Sequence, residues 1–272
     1  MAYTLRGRYM APLALLVLLV AAVSGCAKSK KAPAASFLSA EEIYRQAVRE
    51  LQEDDLRQAR SLLDQVTYTT EDRAELEPLV RLAIADATFY QSYGVALIDA
   101  RSLYQDFVAL YGEHPLAPYA QFQAGVCSLK QVVHPSRDQA QTHQALADLR
   151  LVEERWSATR FAVAARLMIR QAEHNLAEHE FMVGKFYLNR KSPAAAIERF
   201  RIILDRYPHF DELDKIYFYL SQAQLGAGND VEARIYLDKL VSDFPHGEFF
   251  DEAQKQLDKA GGPLGLDLTG KD

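Results

Sequence analysis

The chain has too few cysteines for a disulfide framework. Its 272 residues include two, Cys26 and Cys127, and they form none of the close pairs that hold zinc. A phosphate-binding glycine loop, a dinucleotide fingerprint and a nucleophile elbow are also missing from the sequence. His179-Glu180 is followed by Phe-Met-Val, so the helical zinc motif is incomplete. We therefore predict a protein that is not an enzyme and binds no cofactor or metal.

Basic residues are outnumbered by acidic ones. The sequence has 31 Lys and Arg against 37 Asp and Glu, a formal net charge of −6. This balance is not typical of proteins that bind nucleic acid, so we expect no nucleic-acid partner. Strand-like alternation is absent, whereas apolar residues recur at spacings of three and four, which predicts an all-α fold.

The apolar segment near the start, residues 11–23, is too short to span a membrane. It has 13 residues, and a membrane helix needs about 20. Arg6 and Arg8 precede it, as in a secretory signal peptide. It ends in Val23-Ser24-Gly25-Cys26, which resembles a bacterial lipobox. This resemblance implies cleavage before Cys26 and acylation of its thiol and its amine; a plain signal peptide with an incidental cysteine is the alternative.

Composition divides the chain into four parts. We predict a lipoprotein signal peptide at 1–25, a flexible tether at 26–36, a helical array at 37–260 and a disordered tail at 261–272. The tether has four Ala, three Lys, two Ser and one Pro, and the tail has four glycines and a proline. Ser39 and Glu42 have the spacing of a capping box, which opens the first helix of the array.

An internal repeat is the most specific signal within the array. In "GKFYLNRKSPAAAIERFRIILDRYP", Gly184, Tyr187, Ala196, Phe200 and Pro208 occupy the small, aromatic and helix-ending positions of a tetratricopeptide repeat. Small residues let paired helices approach closely, and large ones fill the space between pairs. The other units carry a small residue followed four positions later by a large one: Ala59 and Leu63, Ala100 and Tyr104, Ala145 and Leu149, Ala233 and Leu237. This pattern predicts an α-solenoid of about five tetratricopeptide-like helix pairs.

Lipobox, tether and irregular repeats together resemble the BamD family of outer-membrane β-barrel assembly lipoproteins. The segments "ALYGEHPLAPYAQFQAGVCSL", "HPSRDQAQTHQALADLRLVEERW" and "AEHEFMVGKFYLNRKSPAAAIERFRIILDRYP" are similar to that family's second, third and fourth repeats. The resemblance covers about residues 37–259. Trp156-Ser157 departs from it, because the family usually has Tyr-Pro there.

The resemblance implies a non-enzymatic scaffold, lipid-anchored to the outer membrane and facing the periplasm. It implies binding to the POTRA domains of a BamA-like barrel subunit, to other assembly lipoproteins and to unfolded outer-membrane protein precursors. For the contact with the barrel subunit it indicates the fourth and fifth repeats, where Arg199 matches a basic position of the family. The alternative for Arg199 is a solvated helix face with Glu198 or Asp205 nearby.

Four residues are candidates for a peptide groove. Counting back from Ala59 and Ala100 places Tyr44, Val48, Phe89 and Tyr93 on the inner face of the first helices. Aromatic side chains there would suit precursors that end in aromatic-rich segments. The alternative is that these side chains pack between helices, as most aromatic stripes do.

Three other kinds of protein share some of these features. A pilotin, a lipidated tetratricopeptide protein that escorts a secretin, would have the same anchor but more regular repeats. A peptidoglycan-related enzyme would need a catalytic acid in a cleft, and the cell-division coordinator linked to Tol–Pal usually has a coiled coil and no lipid.

Overall fold

The computed structural model describes residues 38–68, 73–91 and 93–262, and in these ranges the regular structure is all helical, as predicted. The described helices are α1 Ala40–Gln52, α2 Leu56–Tyr68, α3 Arg73–Tyr90, α4 Gly94–Leu110, α5 Ala117–Leu129, α6 Ala140–Arg155, α7 Arg160–Asn189, α8 Pro193–Arg206, α9 Leu213–Gly226, α10 Asp230–Asp243 and α11 Phe250–Lys259. They fall into two compact units that divide between residues 92 and 93. The first unit therefore holds α1–α3 and the second holds α4–α11.

The first unit begins with the predicted capping box. Ser39 Oγ accepts a hydrogen bond from the Glu42 backbone N–H at 3.3 Å, and the Ser39 backbone N–H donates to Glu42 Oε2 at 2.8 Å. Two of the amide groups that a helix start leaves without intrahelical partners are thereby satisfied. The core of this unit combines apolar residues from all three helices: Ile43, Ala47, Leu51, Ala59, Leu62, Leu63, Val66, Val80, Ala83 and Ala87.

The five predicted pairs of a small and a large residue all lie in the protein interior, whereas Tyr187 is partly buried and Pro208 is exposed. The pairs belong to every second helix, α2, α4, α6, α8 and α10, and each combines a small residue with a large one four positions later. All are at most 2% exposed: Ala59 and Leu63, Ala100 and Tyr104, Ala145 and Leu149, Ala196 and Phe200, Ala233 and Leu237. One turn of helix separates the members of each pair, so both face the same neighbours. The predicted fold class, a tetratricopeptide-like α-solenoid, is confirmed.

Two glycines in the second unit mark places where paired helices nearly touch. A Cβ added to Gly184 on α7 would lie 2.5 Å from the Phe200 ring on α8. A Cβ added to Gly125 on α5 would lie 2.6 Å from Leu149 Cγ on α6. The sequence predicted this role for Gly184, and the same arrangement recurs one repeat earlier.

An aromatic residue ends each second helix of the second unit. In each of these helices the aromatic residue lies eleven residues after the buried alanine of the repeat pair. Its backbone N–H donates to the carbonyl four residues earlier. The four residues are Tyr111, Trp156, Tyr207 and Phe244, with φ between −128° and −136°. Trp156, which departs from the family pattern, therefore occupies the same structural position as the other three. The guanidinium of Arg155 lies 4.5 Å from the centre of its ring.

Helix α7 connects two core clusters of the second unit. Its 30 residues correspond to about 45 Å of helix. The first half contributes Ala162, Ala165 and Ile169 to a cluster shared with α5 and α6. The second half contributes Ala177 and Phe181 to a cluster shared with α8 and α9. One continuous helix therefore holds the third and fourth pairs together.

A half-buried ion pair joins α4 to α6. Arg101 Nε donates to Asp148 Oδ2 at 2.8 Å and Arg101 Nη2 donates to Asp148 Oδ1 at 3.2 Å. Gln105 donates to the same carboxylate, and Gln121 on α5 donates to the Asp148 backbone carbonyl at 3.0 Å. Asp148 is 3% exposed, so these donors replace the water that its charge would otherwise need.

Replacing Gly184 by Ala should lower the free energy of unfolding by about 1–3 kcal/mol, because the fully buried Phe200 ring has no room to move away. Denaturant titration measures the change. Gly226→Ala is the matched control, since its Cβ would make an ordinary 3.4 Å contact with Pro193. The control should be neutral or slightly stabilising. Unchanged stability in Gly184→Ala would contradict the close-approach argument.

Candidate functional site

The predicted lipidation residue, Cys26, lies outside the described residues. The described helices themselves offer no membrane span, since none of them combines sufficient length with sufficient apolar character. The anchor therefore remains a prediction from the sequence.

Three of the predicted groove residues lie in the first unit. Val48 on α1 and Phe89 near the end of α3 are 6% and 7% exposed, so they offer little surface to a peptide. Tyr44 on α1 is partly buried and packs against the core cluster of that unit. The role of these three residues in a groove stays a prediction, and Tyr44 is the most accessible of them.

A buried carboxylate shapes the electrostatics around Tyr44. Asp86 on α3 is 3% exposed. Burial and, second, the charge of Asp86 raise the pKa of the Tyr44 phenol to about 12. The same two causes raise the pKa of Tyr90. Both phenols therefore stay neutral to a higher pH than an ordinary phenol and keep an O–H that can donate a hydrogen bond.

Tyr93, the fourth groove candidate, lies at the start of the second unit. It is the N-cap residue of α4 and is 72% exposed. Val95 and Ile98, which follow it on α4, are also exposed. These three side chains are apolar surface that a partner can cover.

Arg199 on α8 has a specific partner that the sequence did not indicate. Its Nη1 donates to Glu180 Oε2 on α7 at 3.0 Å. The Arg199 side chain is 39% exposed and that of Glu180 is 17% exposed. The ion pair of Arg199 therefore joins α8 to α7 and does not involve Glu198 or Asp205 on its own helix.

Phe181 and Phe210, which are 5% and 4% exposed, belong to a cluster of lysines and aromatic rings that the sequence analysis missed. We call it the lysine–aromatic face and define it by Glu178, Phe181 and Lys185 on α7, Phe210 before α9, and Lys215 and Tyr219 on α9. Lys215 Nζ lies 4.2 Å from the centre of the Phe181 ring and 5.8 Å from that of Phe210. Lys185 Nζ lies 5.5 Å from the Phe181 ring and 5.0 Å from the Tyr219 ring.

Carboxylates hold Lys215 in its charged form. It pairs with Glu212 and, at 3.4 Å, with Glu178. Burial alone would lower the pKa of Lys215, but the hydrogen bond to Glu212 and the charges of both carboxylates outweigh burial and raise it. In "LDKIYFYL" Lys215 directly precedes five apolar residues, and a lysine at the start of such a run is the signal that could have identified this face.

The contacts described at these positions are noncovalent. They combine ion pairs, cations over aromatic rings and exposed apolar side chains, the usual components of protein interfaces. In the part of the chain that the structure describes, no group of three or more His, Cys, Asp or Glu side chains is placed to hold a metal ion.

These features define a helical-repeat protein of the tetratricopeptide type with surfaces suited to binding. A family model, YfiO, described as outer membrane lipoprotein, matches residues 38–234. The chain belongs to this family, and the family resemblance of the quoted segments is confirmed.

Relatives in two bacteria carry the same name. The chain is similar to the outer membrane protein assembly factor BamD of Caulobacter vibrioides, 35% identical over 155 residues, which are 57% of this chain and 51% of the relative. This match therefore spans about half of that relative's length. Similarity to the BamD of Rickettsia prowazekii extends over 239 residues at 23% identity, 88% of this chain and 94% of the relative.

Two solved structures show a limited likeness to this chain. The TPR2AB domain of yeast Sti1, in a complex with pHSP90, aligns with a TM-score of 0.42 and 13% identity over 82% of this chain and 85% of that one. PilW, a type IV pilus biogenesis factor, aligns with a TM-score of 0.27 and 15% identity over 78% of this chain and 97% of that one.

The stability of the native chain should fall more steeply between pH 10 and 12 than that of Tyr44→Phe. The folded state favours the neutral phenol of Tyr44. The contribution of this phenol to the free energy of unfolding is therefore complete below the ordinary pKa of 10 and is lost as the pH rises towards about 12. Over this range we expect the free energy of unfolding of the native chain to fall by about 1–3 kcal/mol more than that of Tyr44→Phe. Denaturant titrations from pH 9 to 12 measure it, with Tyr93→Phe, which removes an exposed phenol, as control. Parallel pH curves for the native chain and Tyr44→Phe would refute it.

Proposed function

We propose that this protein is a non-catalytic scaffold of outer-membrane β-barrel assembly. The observation that carries the proposal is the family match over residues 38–234, together with relatives named as outer membrane protein assembly factors. An array of helix pairs supports a scaffold role, because stacked repeats expose extended surfaces on which partners can bind.

In this proposal the chain is held at the outer membrane by acyl groups on Cys26 and faces the periplasm. Each methylene buried in the bilayer adds about 0.8 kcal/mol of membrane affinity, so several acyl chains form a stable anchor. The tether at 26–36 then gives the helical array reach from the membrane surface.

The second unit is the proposed site for the POTRA domains of a BamA-like barrel subunit. The Arg199 side chain is 39% exposed there, and its partner Glu180 directly precedes Phe181 of the lysine–aromatic face on α7. A partner carboxylate can reach the exposed part of the guanidinium, and partner apolar groups can pack against the partly exposed Tyr219. Other assembly lipoproteins would bind other faces of the array.

Unfolded barrel precursors are the proposed ligands of the groove candidates. Tyr44 and Tyr93 are the two whose rings retain exposed surface. Their phenols combine apolar area with a hydrogen-bonding group, which suits an extended peptide with aromatic side chains.

Charge reversal at Arg199 tests the partner surface. The full chain is purified from membranes in mild detergent, and the bound proteins are identified by mass spectrometry. Arg199→Glu should reduce recovery of the barrel subunit several-fold, because it places a second carboxylate beside Glu180. Arg201→Glu, an exposed residue of the same helix, is the control and should leave recovery unchanged.

Thermal unfolding of both variants shows whether any loss of binding reflects loss of fold. Equal recovery with Arg199→Glu and Arg201→Glu would contradict the role of Arg199. Recovery of a secretin without any barrel assembly subunit would contradict the scaffold function itself and favour a pilotin.

Replacing Cys26 by Ser tests the anchor separately. The thiol is the predicted acylation site, so the variant should leave the outer-membrane fraction and appear in the soluble fraction or as an uncleaved precursor. Membrane fractionation and mass determination of the N-terminal peptide measure this. Unchanged fractionation would show that the anchor prediction is wrong.

A further inference from the structure

Helix α7 extends beyond the helix that packs against its second half. It has 30 residues, whereas α8 has 14. Phe200 in the middle of α8 meets Gly184 near the end of α7. Tyr207, directly after α8, packs against the core clusters of both halves of α7. Helix α8 therefore ends near the middle of α7, and residues 160–172, the first half, lie beyond its end.

The two halves of α7 have matching positions on one face. Eighteen residues make five complete helical turns, so residues 18 apart lie on the same side of the helix. In the second half this face packs against neighbouring helices. The centre of the Phe181 ring lies 6.0 Å from that of Phe200 on α8 and 5.2 Å from that of Tyr219 on α9. The matching positions of the two halves are Val163 and Phe181, Arg166 and Gly184, Leu167 and Lys185, Arg170 and Leu188.

In the first half the same face is exposed. Val163 and Leu167 are each 54% exposed, and Arg166 and Arg170 are exposed as well. The opposite side of this half lies in the core cluster shared with α5 and α6. Within the described part of the second unit, therefore, nothing covers the side that α8 and α9 cover further along. We call these four residues the open face of α7.

The open face carries positive charge that the rest of the chain does not balance. Residues 160–172 contain three arginines and no acidic residue, although the chain as a whole has a net charge of −6. Arg166 Nη1 lies 3.7 Å from Glu153 Oε1 on α6, and its side chain is 51% exposed. Arg160 and Arg170 are exposed, and neither forms an ion pair within the described ranges. Two guanidiniums without a counter-charge thus flank two exposed aliphatic side chains.

An α-helix fits this arrangement best. The same side of α7 accepts α8 in the second half, and Val163 and Leu167, one turn apart, form a ridge that packs into the groove of a facing helix. Carboxylates beside that groove can form charge-assisted hydrogen bonds with the arginines. An anionic bilayer would match the charge, but two aliphatic side chains give little apolar area for interfacial binding.

We propose that the open face of α7 is a docking site for an acidic amphipathic helix of a partner protein. The helix packs its apolar side against Val163 and Leu167 and pairs its carboxylates with Arg160 and Arg170. Because the face is small and polar at its edges, the complex forms reversibly. This site is separate from the one proposed at Arg199 and does not depend on the scaffold function.

Site-specific photocrosslinking of the full chain in cells tests the proposal. Benzoylphenylalanine replaces Leu167, and mass spectrometry identifies the crosslinked segment. We expect a partner segment with net negative charge and apolar residues at spacings of three and four. Benzoylphenylalanine at Val231, which is 62% exposed on α10, is the control and should not capture that segment.

Charge reversal tests whether the arginines select the partner. Arg170→Glu should lower the yield of the Leu167 crosslink several-fold, whereas Arg201→Glu on α8 should not. Arg160→Glu is a second variant with the same expected loss, and an acidic residue in the first turn of a helix does not destabilise it. Replacing the partner carboxylate nearest to the crosslink by Arg should restore the yield with Arg170→Glu.

Three results would overturn the proposal. The first is a Leu167 crosslink to phospholipid alone, or to no more protein than the Val231 control captures. The second is a captured segment without acidic residues. The third is equal crosslink yields with Arg170→Glu, Arg160→Glu and Arg201→Glu, with thermal unfolding showing that all three variants are folded.

Discussion

Close approach within helix pairs is the constraint on which the second unit depends. At Gly184 and Gly125 the neighbouring side chains, Phe200 and Leu149, occupy the space that any Cβ would need. Large side chains from one helix then fill the hollow left by the missing side chain of the other, and both large residues are fully buried. Interiors packed in this way tolerate little change in volume, so the separation of the paired helices is fixed by residue size.

A fixed distance between the two helices of a pair does not by itself hold that pair against the next one. In the second unit two different interactions supply that link. Helix α7 enters one core cluster with its first half and another with its second half, so two pairs share a continuous element. Arg101 and Asp148 join α4 to α6 through two hydrogen bonds between side chains that are 47 residues apart in sequence. The first of these links is apolar, whereas the second is directional and satisfies a buried carboxylate.

Local features of this structure could be predicted from the sequence, and distant pairings could not. The Ser39 cap, the Gly184–Phe200 contact and the five pairs of buried positions follow from spacings of three, four and sixteen residues within one repeat. Asp148 is an ordinary acidic residue in the sequence, and its burial depends on a partner in another helix. The lysine–aromatic face was missed for the same reason, because Lys215 meets Phe181 only after α7 and α9 pack. For the groove candidates, helical periodicity predicted the face of the helix but not the exposed fraction of each side chain, and Val48 and Phe89 are buried.

Pairing of half-buried charges also limits how a partner can bind the second unit. Arg199 already bonds to Glu180, and Lys215 already bonds to two carboxylates. A docking carboxylate must therefore share or replace an existing partner, so the net gain from the new ion pair is small. A docking cation, by contrast, would meet an arginine or a lysine beside each carboxylate and would be repelled. Such an arrangement contributes more to the choice of partner than to affinity, and the apolar contacts beside it must supply most of the binding free energy.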